Sequence, residues 1–123
     1  MDNLPMVQIM IGLVILVAVL HVGFMLLEMV FWSKPLGRKI FRIDEDFAKK
    51  SKGLALNQGL YNGFLVAGLL WGLVQQESGR YTLVFFLGCI IIAGIVGALT
   101  VSKRIFFLQA LPALLAMIAL LSI

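Results

Sequence analysis

Two ionisable side chains, His21 and Glu28, stand inside the first apolar stretch of the chain. Their spacing returns to nearly the same face of a helix two turns along, about 10.5 Å in rise. That is too far for a direct hydrogen bond on a regular helix. Both can still line one cavity, with Trp32 a further turn along the same side. A carboxylate in apolar surroundings is costly unless it is paired, neutral or wet. Glu28 is therefore the first candidate for chemistry, as a general base, a proton carrier or a ligand contact, and His21 is its candidate catalytic companion. Each residue also has a purely structural role open to it. Glu28 can snorkel to the interface or act as interhelical glue to Asn57, Gln58 or Tyr61, and His21 can donate to a backbone carbonyl or to Tyr61.

The other candidate binding residues come mainly from a second apolar stretch. Asn57, Gln58, Tyr61 and Asn62 fall, at about 100° per residue, on one helical arc roughly 140° wide. Gly68 and Gly72 continue that side and Gly59 and Gly63 lie opposite, so the helix offers two surfaces for close packing. Ala93 with Gly97, and Gly94 with Ala98, offer the same on a third helix. Gln109 adds polarity near the start of a fourth stretch, and Arg38 supplies a cation in the first connection. Glu28, the Asn57–Asn62 group and Gln109 thus gather near one end of the apolar segments. The other end holds little beyond Gln8, Thr82 and Ser122. The asymmetry predicts a polar pocket open toward the first end, which the charge pattern assigns to the cytoplasm.

Several chemistries are excluded. There is no phosphate-binding glycine loop, and the lone His21 and lone Cys89 fall on different stretches, so no zinc site is expected. Cys89 has no partner for an intrachain disulfide and reads as a small packing residue; a reactive thiol would need an electropositive, accessible setting. Nucleic-acid binding is a poor reading of the net charge of +4, because topology accounts for the cations.

The elements that must position these residues follow from composition. Of the 123 residues, 62% are hydrophobic, and the mean hydropathy is +1.07. A soluble domain is only about half apolar, so the bilayer is the expected solvent. The apolar runs predict an all-α, four-helix membrane bundle forming one domain over residues 1–123, with spans at about 4–32, 54–74, 81–101 and 105–123. The first run would be roughly 43 Å long as one helix against a ~30 Å hydrocarbon core, which requires tilt or protrusion. It also exceeds a signal-peptide core and follows no Lys or Arg, so it is expected to stay as a span. Pro5 suits a first helical turn, and Pro112 marks an expected kink.

Charge sets the orientation. The first connection carries Lys34, Arg38, Lys39, Arg42, Lys49, Lys50 and Lys52; the third carries Lys103 and Arg104; the second carries only Arg80. The positive-inside rule places loops 33–53 and 102–104 in the cytoplasm and both termini outside, in a multi-pass protein of the cytoplasmic membrane. Trp32, Trp71 and Tyr81 sit near span ends, as aromatic anchors do. The cations of the first connection read first as a topology signal, with contact to anionic headgroups or an anionic substrate as the alternative. The segment around Leu36, Ile40 and Phe41 mixes apolar and basic residues, which suits a short interfacial helix. Asp44, Glu45 and Asp46 favour a helix N-terminus directly after them.

These residues carry a resemblance. His21, then Leu27-Glu28-Met29, then Pro35-Leu36-Gly37-Arg38-Lys39-Ile40-Phe41 and Asn57-Gln58-Gly59-Leu60-Tyr61-Asn62-Gly63-Phe64-Leu65 resemble domain-of-unknown-function family 1304 over nearly the whole chain. Arg38-Lys39-Ile40-Phe41, Asp44-Glu45-Asp46 and Asn57 also resemble the MAPEG membrane enzymes of eicosanoid and glutathione metabolism. That second resemblance implies a homo-oligomer, favouring a trimer, with glutathione or another thiol in a cytoplasm-facing pocket. The chain departs from that pattern at Gly53 and Leu60, where MAPEG proteins carry an arginine and a glutamate.

Three functions remain open on the sequence. The chain can be a membrane enzyme or binding protein that takes a lipophilic or thiol-conjugated molecule at Glu28, with His21, Asn57, Gln58, Tyr61 and Asn62 orienting it. It can be a small proton-coupled transporter that uses Glu28. It can also be a structural or accessory subunit without catalysis.

Overall fold

The computed structural model describes residues 3–123, so the first two positions of the expected 1–123 domain lie outside the described residues. Among the described residues the fold is all-α, with no strand. Its helices are α1 (Leu4–Met29), α2 (Pro35–Phe41), α3 (Glu45–Val74), α4 (Arg80–Thr100) and α5 (Leu111–Leu121). A 3-10 turn, Gln76–Gly79, leads into α4, and a π-helical stretch, Phe106–Ala110, leads into α5. The chain forms two compact units. One is His21–Val66; the other joins the residues up to Leu20 with Ala67–Ile123.

In the His21–Val66 unit, α1 ends before the expected Trp32. The Val30 and Phe31 N–H groups both bond the Leu26 carbonyl, at 2.9 and 3.1 Å, and the second, five residues back, widens the last turn and closes the helix. Lys34 is extended and Pro35 opens α2, where a missing N–H is harmless. Arg42 ends α2 in the left-handed conformation, at φ 56°, and its N–H bonds the Arg38 carbonyl. A Cβ at Gly37 would collide with the Phe31 carbonyl, so glycine is what lets α2 rest on the turn after α1.

Helix α3 begins at Glu45, well before the apolar span expected from Leu54 and two residues before the helix start expected directly after the acidic cluster. Asp44 is the reason: its Oδ1 accepts the Phe47 N–H at 2.7 Å, and its carbonyl accepts the Ala48 N–H at 3.0 Å. Glu45 and Asp46 complement the positive end of the helix. They also pair with Lys49 and Lys50 one turn on, at 3.5 and 3.2 Å. These pairs are exposed and add little stability. Trp32 ties the loop to α3: its Nε1 donates to Ser51 Oγ at 3.0 Å, and its ring lies 4.8 Å from that of Phe41.

In the second unit, α4 buries Leu83, Leu87, Ile90 and Gly94, a repeat of four, three and four residues that forms one stripe. The C-terminal segment answers with small residues: Ala110, Ala113 and Ala116 are at most 1% exposed. Small faces let helix backbones approach closely. A Cβ at Gly94 would lie only 2.5 Å from the Ala110 nitrogen. At the other end of α4, Gly68 of α3 lies against the Phe86 ring and Gly72 against Leu83. Arg80 Nη1 donates to the carbonyls of Leu120 and Ile123, at 2.9 and 3.1 Å, and so caps the end of α5. Pro112 stands at the start of α5. Its ring and missing N–H disturb the preceding turn, and the π-helical stretch at Phe106–Ala110 is where the helix absorbs this.

Two helical segments, Leu4–Met29 and Gln76–Thr100, are long and apolar enough to cross a membrane. The segment Phe106–Leu121 is apolar but shorter. The Leu54–Val74 part of α3 is diluted by Asn57, Gln58, Tyr61 and Asn62.

The Gly94 contact can be tested against a matched position on the same helix. Gly94→Ala should lower the stability of the detergent-solubilised protein by about 1–3 kcal/mol, the usual range for overpacking. Gly88→Ala, where a Cβ meets nothing within 4 Å, should be neutral or slightly stabilising. Equal thermal midpoints for the two variants would refute the backbone contact.

Candidate functional site

The site is built where the last turns of α1 cross α3 within the His21–Val66 unit. The sequence offered α3 two faces for this crossing, and α1 occupies the one with glycine. Cβ atoms at Gly59 and Gly63 would meet the side chains of Met29 and Met25 respectively, and the Gly59 position is also 3.2 Å from Glu28 Cβ. The polar arc meets α1 only along its edge, at Asn62. Asn62 is 6% exposed, and its Nδ2 donates to Glu28 Oε1 at 2.5 Å.

This geometry divides the sequence candidates. Glu28 and Asn62 are brought together. His21 is fully buried on the same helix as Glu28, with its ring edge-on to Phe24 at 5.1 Å. Asn57, Gln58 and Tyr61 are exposed on the single chain, and the Tyr61 ring lies 6.2 Å from that of Phe64. The expected glue between Glu28 and Asn57, Gln58 or Tyr61 is thus supplied by Asn62. Arg38 is half-buried on α2, and its Nε is covered without a hydrogen-bond partner. Gln109 is half-buried in the π-helical stretch. Cys89 is a half-buried free thiol on α4.

The setting of Glu28 has a chemical consequence. A carboxylate that accepts one amide hydrogen bond still has lone pairs to offer. Methionine is unbranched and adapts its shape, so Met25 and Met29, packed at the glycines beside Glu28, form a wall that can yield. Among the described residues no group of three or more His, Cys, Asp or Glu is placed to hold a metal ion.

A cavity of about 580 Å³ lies in the other unit and includes none of the sequence candidates. Met10, Leu83 and Leu120 are among its apolar walls, and Asn3, Gln76, Glu77 and Arg80 are its polar members. Sequence reasoning passed over it. The available signal was Arg80, the one cation of the second connection, whose side chain turns out to be engaged in capping α5.

Comparison with known proteins agrees with the first resemblance. The chain is 31% identical over 111 residues to "Uncharacterized protein YpaA" of Lactococcus lactis subsp. lactis (strain IL1403), a match covering 85% of this chain and 90% of the relative. No solved structure matches the chain. The family described as "Protein of unknown function (DUF1304)" matches over residues 15–121, and the chain belongs to that family.

Proposed function

We propose that the chain is a four-span protein of the cytoplasmic membrane that binds a lipophilic small molecule at Glu28 and Asn62. Exposure supports the membrane reading. Only 28% of the most apolar window of Leu4–Met29 and 22% of that of Gln76–Thr100 are buried. Val19 is 60% exposed and Leu99 82%. Apolar surface this continuous marks contact with lipid or partner chains. The Leu54–Val74 part of α3 and the segment from Phe106 to Leu121 supply the other two crossings in this reading. The last of these is short for a ~30 Å core, and Lys103 and Arg104 just before it can snorkel. Loops 33–53 and 102–104 are cytoplasmic and both termini are outside. The cap that Arg80 makes on α5 accounts for the single cation on the outer side.

The observation that carries the binding reading is the Glu28–Asn62 hydrogen bond beside the two methionines. In this role Glu28 accepts a donor group of the ligand, Asn62 orients the carboxylate, and Met25 and Met29 adapt to the apolar part. The exposure of Asn57 and Gln58 supports a homo-oligomer, in which their amides find polar partners on a neighbouring copy. A trimer is the MAPEG-like form of this assembly. Gly53 and Leu60 leave no charged groups for glutathione at those positions, so the ligand proposed is lipophilic.

Orientation can be read by thiol labelling. With Cys89 replaced by serine, Ser78→Cys should react with an impermeant maleimide from outside intact cells. Lys50→Cys should react only after the cells are opened. Reaction of both from the same side would overturn the four-span topology.

The site can be read by separating binding from stability. Glu28→Gln keeps the shape but removes the charge. It should leave thermal stability within about 1 kcal/mol and reduce lipophilic compounds retained in native mass spectra at least about tenfold. Asn62→Ala leaves Glu28 without its donor and should cost about 1–3 kcal/mol of stability. If Glu28→Gln loses stability like Asn62→Ala while the retained compounds are unchanged, the pair is structural glue and the binding reading fails.

A further inference from the structure

The loop charges divide into two groups. Glu45 and Asp46 pair with Lys49 and Lys50 on α3, and Asp44 is engaged at the helix start. The acids of the loop are therefore used within α3. Among the described residues, Lys34, Arg38, Lys39 and Arg42 form no ion pair. Lys34 instead holds its ammonium 5.6 Å above the Phe31 ring. The covered, unpartnered Nε of Arg38 is a costly state for a guanidinium and calls for an acceptor.

These cations lie beside exposed apolar surface. Leu36 is 50% and Ile40 37% exposed, one turn apart on the same face of α2. The position of α2 is also restricted. It is docked through Gly37 onto the turn after α1. The link from Met29 to Pro35 can span no more than roughly 20 Å. A basic and apolar helix held this close to the end of an apolar helix has the composition of an interfacial element.

We infer that α2 is a docking surface for anionic phospholipid of the cytoplasmic leaflet. The phosphodiester sits among Arg38, Lys39 and Arg42, while Leu36 and Ile40 enter the acyl boundary. The headgroup brings the acceptor that Arg38 lacks, reached by rotation of that side chain from beneath its cover. A lipid is favoured over a soluble anion because the cations and the exposed apolar pair lie on the same short element. The inference rests on the membrane-spanning part of the proposed function and is independent of the Glu28 site.

The test uses the full chain in mild detergent, titrated separately with phosphatidylglycerol, phosphatidylcholine and inorganic phosphate. Binding is read by native mass spectrometry. It is also read by Trp32 emission in a Trp71→Phe background, since Trp32 lies against Phe41 of α2. The unmodified chain should retain phosphatidylglycerol about tenfold better than phosphatidylcholine, with the preference fading as salt approaches 1 M. Lys39→Gln and Arg42→Gln should each reduce phosphatidylglycerol binding about fivefold. Leu36→Ser should weaken both lipids. Equal retention of the two lipids by the unmodified chain would overturn the inference without any variant. Displacement of phosphatidylglycerol by inorganic phosphate would do so too, since the surface would then be a seat for free anions. A chain that labels with the proposed topology yet shows no lipid preference refutes this inference alone.

Discussion

A carboxylate on an apolar helix must find a donor, and the crossing of α1 and α3 is arranged around that requirement. Asn62 can reach Glu28 only because Gly59 and Gly63 let the last turns of α1 come close to α3. A Cβ at Gly59 would press on the Met29 side chain and come within 3.1 Å of the Met25 carbonyl, whereas at Gly63 only the Met25 sulfur would have to move. The hydrogen bond and the glycine face are thus one device, with the glycines setting the distance and the amide using it. The short α2 then closes the same end, through Gly37 on the turn after α1 and Trp32 on Ser51.

The other unit is held together without a half-buried carboxylate of the Glu28 kind. Its α4 and α5 approach closely at Gly94 and a row of alanines, and the same helices bury the large side chains of Leu87, Ile90 and Leu120. Polar groups there are satisfied locally. Arg80 serves the carbonyls at the end of α5, Thr82 donates to Gln75, and Thr100 donates to the Val96 carbonyl. A π-helical stretch is tolerated before Pro112 because the irregular turn is held against α4 near Gly94.

Helix class, the short α2 and the close-packing role of the glycines were legible from residue type and spacing alone. The helix limits were less so, because they depend on single capping contacts. Asp44 starts α3 at Glu45 by taking the Phe47 N–H, and the acidic cluster, not apolar periodicity, is the signal for that charged extension. The site was legible in its members but not in its wiring. Helical angles place Asn57, Gln58, Tyr61 and Asn62 on one arc. They do not say whether a neighbouring helix will choose the polar arc or the glycine face. Close approach favoured the glycines, which left Asn62 as the bridge and turned Asn57, Gln58 and Tyr61 outward. The capping use of Arg80 was hidden for a different reason: its acceptors are some forty residues away in sequence.

The charges of the first connection show local helix rules shaping a property of the whole surface. Acids at the start of α3 are placed to cap and complement that helix, and their side chains reach Lys49 and Lys50 one turn on. Once committed there, they are not available to neutralise α2. Net positive charge is thereby concentrated on α2 and its two flanking residues, Lys34 and Arg42, beside the end of α1. Had the acids lain on α2, the loop would carry the same net charge with none of this separation. The strength of an electrostatic surface thus depends on which helix start the acids serve, as well as on how many cations the loop contains.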